Sequence, residues 1–114
     1  MSFSYKLNKE KNFVHLTFEG NLIGKHQVEN LLAELDFYYN EGINKIIIDL
    51  SDMQYMNSTG LSILINIFTH TRSKGGEVII TNIPDKINKL LIITKLNSIF
   101  NIENTVEDAK KILV

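Results

Sequence analysis

The chain contains no cysteine, so disulfides, thiolate catalysis and cysteine-based metal sites are all excluded. It also lacks any apolar run near the ~20 residues that a membrane span needs. Met1 to Glu10 has no uninterrupted apolar region of the signal-peptide type. These absences fit a reducing cytoplasm, and a cytoplasmic location is the expectation. There is no surplus of charge either. Twelve basic residues are scattered against thirteen acidic ones, for a formal net charge of −1. That leaves no electrostatic footprint for nucleic acid or an anionic membrane, so neither is expected as a partner. No glycine-rich nucleotide loop is present: Gly20-Asn21-Leu22-Ile23-Gly24 has neither the dinucleotide fingerprint nor the phosphate-loop lysine. His15, His26 and His70 are isolated, without a second histidine or a carboxylate at metal spacing, so neither metal nor cofactor is expected.

What remains is an ordinary globular composition, 44% hydrophobic and 22% charged over 114 residues. That length suits one domain, 1–114, with a core that needs no staples. No internal repeat, linker or low-complexity stretch interrupts it. Phe3, Tyr5 and Leu7 alternate with polar residues, and Val14, Leu16 and Phe18 alternate after a polar turn, so an antiparallel hairpin is expected. Gly20-Asn21 and Gly24 then punctuate the chain. Val28, Leu31, Leu32, Leu35 and Tyr39 fall at helical spacing between about His26 and Asn40, with Gly42 as the stop.

Ile43 to Leu50 is a β-branched run with little alternation, as in a central strand covered on both faces. A helix is expected from about Thr59 to Lys74, with Leu61, Leu64, Ile65 and Phe68 inward and Gly75-Gly76 at its end. Ile63 lies away from that stripe and Ile67 only flanks it, so either the helix is widely covered or part of it meets a partner. Glu77 to Thr81 reads as a strand, Pro84 opens a helix with Ile87, Leu90 and Leu91, and Ile99, Phe100 and Ile102 suggest a brief edge strand. Asn104-Thr105 can cap a last helix carrying Val106, Ala109 and Leu113. The fold class is α/β, in the order β-β-α-β-α-β-α-β-α, with a mixed central sheet and helices packed on it.

The candidate chemistry lies at the end of the central strand. Ile46 to Asp52 is followed by a short loop, Met53 to Met56, and then by Asn57-Ser58-Thr59-Gly60-Leu61. Asp49 and Asp52 suggest paired acids, but the better reading is structural: Asp49 ends the strand and orders the switch loop by binding backbone N–H groups. Ser58 sits where a hydroxyl can cap a helix. A phosphate in the same place would meet unpaired N–H donors at the positive end of the helix dipole. It would bring about −1.5 to −2 charges, enough to disrupt a surface that packs Met56, Leu61 and Ile63 against a partner. A serine nucleophile assisted by a histidine is disfavoured, since Ser58 lies in no Gly-x-Ser-x-Gly elbow.

The pairing of Ile47-Ile48-Asp49-Leu50-Ser51 with Met56-Asn57-Ser58-Thr59-Gly60-Leu61 resembles the signature of the STAS family, named for sulfate transporters and anti-sigma factor antagonists. Gly20-Asn21-Leu22 matches the family's Gly-x-Leu feature. The resemblance implies the STAS (SpoIIAA-like) fold and a non-enzymatic anti-sigma factor antagonist. Such a protein captures an anti-sigma factor serine kinase while unphosphorylated, is released when that kinase phosphorylates it, and is reset by a PP2C-type phosphatase. Carried onto this chain, the resemblance makes Ser58 the phosphoacceptor, with Thr59 as a second hydroxyl. It places the partner surface at Asn21, Met56, Asn57, Ser58, Thr59, Gly60, Leu61 and Ile63. Asn57 stands where the family usually has aspartate, keeping its size and losing its charge, and Ile23 replaces a common acidic residue. Two alternatives stand beside this expectation. One is a STAS subunit that docks constitutively on a transporter or other assembly. The other is a small α/β enzyme using Asp49, Ser58 and a histidine. The expected free state is a monomer.

Overall fold

The computed structural model describes residues 2–113. Its sheet has five strands in sequence order: β1 (Phe3–Lys9), β2 (Val14–Leu22), β3 (Lys45–Met56), β4 (Glu77–Thr81) and β5 (Asn101–Glu103). β1 and β2 pair antiparallel from Phe3↔Gly20 to Lys9↔Val14, and Glu10 N–H closes their turn on Phe13 O at 2.8 Å. The remaining pairs are parallel. Each parallel step is bridged by a helix, because a parallel pair cannot be joined by a tight turn. These crossovers are α1 (Glu29–Asn40), α2 (Ser58–Ser73) and α3 (Asp85–Ile93), and α4 (Val106–Leu113) closes the chain. Short 3-10 turns precede α1 (Lys25–Val28) and follow α3 (Leu96–Ser98).

Alternation along the strands decides which layer each residue joins. Val14, Leu16 and Phe18 of β2, Ile46, Ile48 and Leu50 of β3, and Val78 and Ile80 of β4 face α1, α2 and α3 in the main core. Ile47 and Ile79 face the other way and meet Phe13 with Val106, Ala109 and Leu113 of α4. β3 is therefore apolar on both faces where it is covered on both, as its unbroken β-branched run predicts. Thr105 Oγ1 caps α4 by accepting from Asp108 N–H at 3.1 Å. Tyr5 ties the outer strand to α1 by donating to Glu34 Oε1 at 2.7 Å. Burial and the Glu34 carboxylate together push the Tyr5 phenol up to about 12.

Several boundaries differ from the sequence expectation, each for a physical reason. β3 does not end at Leu50 but continues to Met56, alongside Glu19 to Leu22 of β2. The pairing shifts register between Thr17 and Glu19 and again between Gly20 and Asn21. Burial then runs Leu50, Met53, Met56, in threes rather than twos, and the strand loses its period-two signal. Gly20 and Asn21 therefore lie inside β2 instead of ending it. The α2 stripe is wider than expected: Ile63 and Ile67 are both about 2% exposed, while Ile65 is only half-buried. Leu32, placed on the inner stripe of α1, is 40% exposed. The edge strand starts at Asn101, after Ile99 and Phe100.

Gly20 holds the outer hairpin to the point where β2 changes register. Its φ is +90°, and a Cβ there would lie 2.1 Å from Ser2 O. Gly20→Ala should therefore lower stability by ~1–3 kcal/mol, through left-handed strain and backbone displacement. A lower urea midpoint with an unchanged slope checks this.

Candidate functional site

The site is built where α2 starts against the end of β2. Two adjacent residues here, Asn57 and Ser58, are both of helix-capping type. Asn57 takes the cap. Its backbone is extended, its Oδ1 accepts from Gly60 N–H at 2.9 Å, and Leu61 N–H reaches its carbonyl at 3.0 Å. The same side chain works in the other direction as well, with Nδ2 donating to Ile23 O at 3.2 Å. An aspartate could accept from Gly60 but could not donate to Ile23. Asn57 thus ties the start of α2 to the β2 exit through both ends of one amide.

Of the two roles open to Ser58, this arrangement takes the helix cap away from it. Ser58 is the first residue of α2, exposed, and its hydroxyl makes none of the hydrogen bonds at this helix end; only its carbonyl is used, by Ser62 Oγ at 3.1 Å. Thr59 is half-buried, so of the two hydroxyls Ser58 is the more accessible. Gly60 is buried against the backbone, where a Cβ would come within 2.3 Å of Leu22 O and 2.6 Å of Met56 Cγ.

The facing loop is held just as firmly. Gln27 Oε1 accepts from Ile23 N–H at 2.8 Å and Gly24 N–H at 3.0 Å, while its Nε2 donates to Asn21 O at 3.0 Å. One side chain therefore satisfies three backbone groups of residues 21–24. Asn21 itself is half-buried, with its N–H on Ser2 O. Gln27 was not among the expected site residues; a glutamine three positions after a glycine that opens a helical turn is the capping-box spacing that could have signalled it.

The expected partner surface divides on burial. Met56, Gly60, Leu61 and Ile63 are all buried, with Ile63 and Leu61 packed in the main core. They shape the site from below and offer no contact area. What the surface presents is Ser58, parts of Asn57, Thr59 and Asn21, and the apolar Ile23, 37% exposed; Tyr55, 53% exposed, lies on the face of β3 opposite the buried Met56. Tyr55 lies in register with Asn21 across the β2–β3 pair. It falls within the stretch Met53 to Ser58 on which the contact surface is expected to centre, but as a strand residue rather than a loop residue.

Asp49 and Asp52 are not at a switch loop, since β3 runs through them. Asp49 shares the sheet face of Ile47, away from α2, and its Oδ1 accepts from Ser51 N–H at 2.9 Å and Asn82 Nδ2 at 3.3 Å. Asp52 is exposed opposite Glu19. No histidine hydrogen-bonds Ser58 among the described residues: His70 lies near the far end of α2, 3.6 Å from Asp36, and His15 is on β2. Among the described residues no group of three or more histidines, aspartates and glutamates is placed to hold a metal, and no helix is long and apolar enough to cross a membrane.

A family model described as the STAS domain matches residues 4–109 of this chain. An anti-sigma-B factor antagonist of Listeria monocytogenes is 31% identical over 98 residues, covering 84% of this chain and 85% of that protein. The crystal structure of a candidate anti-sigma factor antagonist from Thermotoga maritima is 26% identical, covers 94% of this chain and 92% of its own, and superposes with a TM-score of 0.79. The Bacillus cell-fate determinant SpoIIAA, in its phosphorylated form, shares the fold with a TM-score of 0.75 at 19% identity, over 97% of this chain and 100% of its own.

Two substitutions probe the junction. Gly60→Ala should cost ~1–3 kcal/mol, because the intruding methyl meets a backbone carbonyl that cannot rotate away. Asn57→Ala should cost ~0.5–2 kcal/mol for the lost cap. Urea unfolding gives both values, and amide exchange at Gly60 should quicken in Asn57→Ala.

Proposed function

From the premise that this chain belongs to the STAS domain family, whose anti-sigma factor antagonists are regulatory binding proteins and not enzymes, we propose that it is an anti-sigma factor antagonist switched by phosphorylation of Ser58. In this reading the unphosphorylated chain binds an anti-sigma factor that is a serine kinase, and so frees a sigma factor in the cytoplasm. The kinase supplies ATP and phosphorylates Ser58, the antagonist is released, and a PP2C-type phosphatase restores it.

The single observation that carries the proposal is the division of labour between Asn57 and Ser58. Because Asn57 supplies the cap bond to Gly60 N–H, the Ser58 hydroxyl is exposed with no cap to keep. A phosphate on it would stand beside the N–H groups and positive dipole of a 16-residue helix. The same phosphate would bring about two negative charges to the junction where Ile23, exposed and tied through its carbonyl to Asn57, is an apolar group that a partner would cover. Binding of the neutral surface and release of the charged one then follow from the desolvation cost of a charge in an apolar contact.

Asn57 adds no charge beside the phosphate; as the departure from the family's usual aspartate, it is also the feature that favours the docking alternative. The amide also keeps its hold on Ile23 O in either state, so the switch leaves the local backbone in place.

Incubation with the anti-sigma kinase and ATP should add one phosphate, located at Ser58 by mass spectrometry and absent from Ser58→Ala. Ser58→Ala should bind the kinase as tightly as the parent, and Ser58→Asp at least about tenfold more weakly, or 1.4 kcal/mol. Equal affinity of the two variants, with Ser58 unmodified by a kinase active on another substrate, would favour the constitutive docking reading instead.

A further inference from the structure

The helix layer has a second surface, at the end away from Ser58. A groove of about 450 Å³ opens between α1 and α2, floored by Leu35 and Ile67 and bordered by Leu32, Tyr39, Asp36 and His70. The His70 ring leans on Tyr39 with centroids 5.2 Å apart, and its Nε2 lies 3.6 Å from Asp36 Oδ1. Leu32, Asp36 and Glu29 share one stripe of α1, at spacings of three and four residues. Asp36 lines the groove and Glu29 lies earlier on the same stripe, while Glu34 turns the other way to Tyr5; α1 carries neither lysine nor arginine. The groove is thus apolar within and acidic along its α1 rim.

The counterpart lies on the same molecule. Where α3 ends, Lys95 takes a left-handed backbone (φ 63°) and turns the chain into the following 3-10 turn. This corner exposes Ile93 at 77%, with Ile92 and Ile99 at 52% each. Single exposed isoleucines are common, but three at one corner are a patch. Lys86, Lys89 and Ile93 share a stripe of α3, and Lys95 follows at the corner itself. Asp85 is the one acidic residue from Pro84 to Phe100. A basic, apolar knob and an acidic, apolar groove therefore stand on one chain.

We propose that two copies of this chain associate about a two-fold axis, each seating the Ile92–Ile93 corner of α3 in the α1–α2 groove of the other. Charge complementarity selects this occupant: the α3 lysines meet Asp36 and Glu29, while the isoleucines cover Leu32 and Tyr39. Closure about a two-fold is open to the chain because both patches lie at the same end of the helix layer. All three crossover helices run against the parallel strands, so the C-terminal halves of α1 and α2 and the end of α3 share one edge. A self-complementary pair of patches makes an isologous interface that satisfies every site. Ser58 stays free, since it precedes His70 by about 18 Å along α2 at 1.5 Å per residue. The association is independent of the phosphorylation reading, and under it the monomer is only the dilute state.

Sedimentation velocity over a range of concentrations tests this. The mass should rise from 13.1 kDa towards twice that value and stop there. Ile93→Glu and Leu32→Glu, at exposed positions, should each weaken association at least about tenfold, and Ile112→Glu on α4 should leave it unchanged. Because the chain has no cysteine, Ile93→Cys and Leu32→Cys variants can be mixed and oxidised. They should cross-link far faster than Ile112→Cys with Leu32→Cys. A strictly monomeric protein, growth beyond a dimer, loss of association in Ile112→Glu, or equal cross-linking of the two pairs would each overturn the proposal.

Discussion

Everything at the Ser58 end depends on how closely the first turn of α2 approaches the end of β2. The approach places Gly60 so that even a methyl group would fall 2.3 Å from the Leu22 carbonyl. Such proximity fixes which residue can cap the helix. With Gly60 held against Leu22, its N–H points back to position 57, and Asn57 rather than Ser58 completes the bond. The other end of the Asn57 amide then finds Ile23 O, and Gln27 secures the remaining groups of that loop. The serine hydroxyl is left over because Asn57 already holds the cap, not because the region is loose.

Much of the fold was legible because its signals are local. Glu77–Thr81 is a strand with turns on both sides, and α4 has its cap and its inner face within ten residues. The antiparallel hairpin alternates cleanly because one of its faces is solvated. The second half of β3 was hidden because two register shifts replace period two by a spacing of three, and no local pattern announces a bulge set by the neighbouring strand. Ile63 misled for a different reason. A helix flanked by α1 and α3 buries more than one stripe, and its extra apolar residues look like a contact surface until those neighbours are in place.

The site was legible as a place and less so as an arrangement. Asparagine and serine rank together as caps, so adjacency alone could not decide between Asn57 and Ser58. The decision is tertiary, made by Gly60 and Leu22. Asp49 shows the converse: aspartate binding a nearby backbone N–H is local chemistry, and Ser51 supplies that N–H. What could not be read was its side of the sheet, since the strand was expected to end there. The same error made Tyr55 a loop residue, whereas it is a strand residue in register with Asn21.

The two ends of α2 differ in a way that matters for any regulation carried by this helix. At the N-terminal end, hydrogen bonds are concentrated on backbone groups, which a phosphate would join without displacing any of them. At the C-terminal end, the groove beside α1 is apolar and held mainly by side chains, among them the Tyr39–Thr71 hydroxyl pair and the His70–Asp36 contact. Under the proposed switch, a charge added at Ser58 would change what the surface can bind while leaving the Asn57 and Gln27 hydrogen bonds in place. A switch of this kind acts by desolvation at the interface and needs no conformational relay. Under the proposed switch, the strength of release would be set by how much apolar surface, Ile23 included, a partner must cover beside the phosphate.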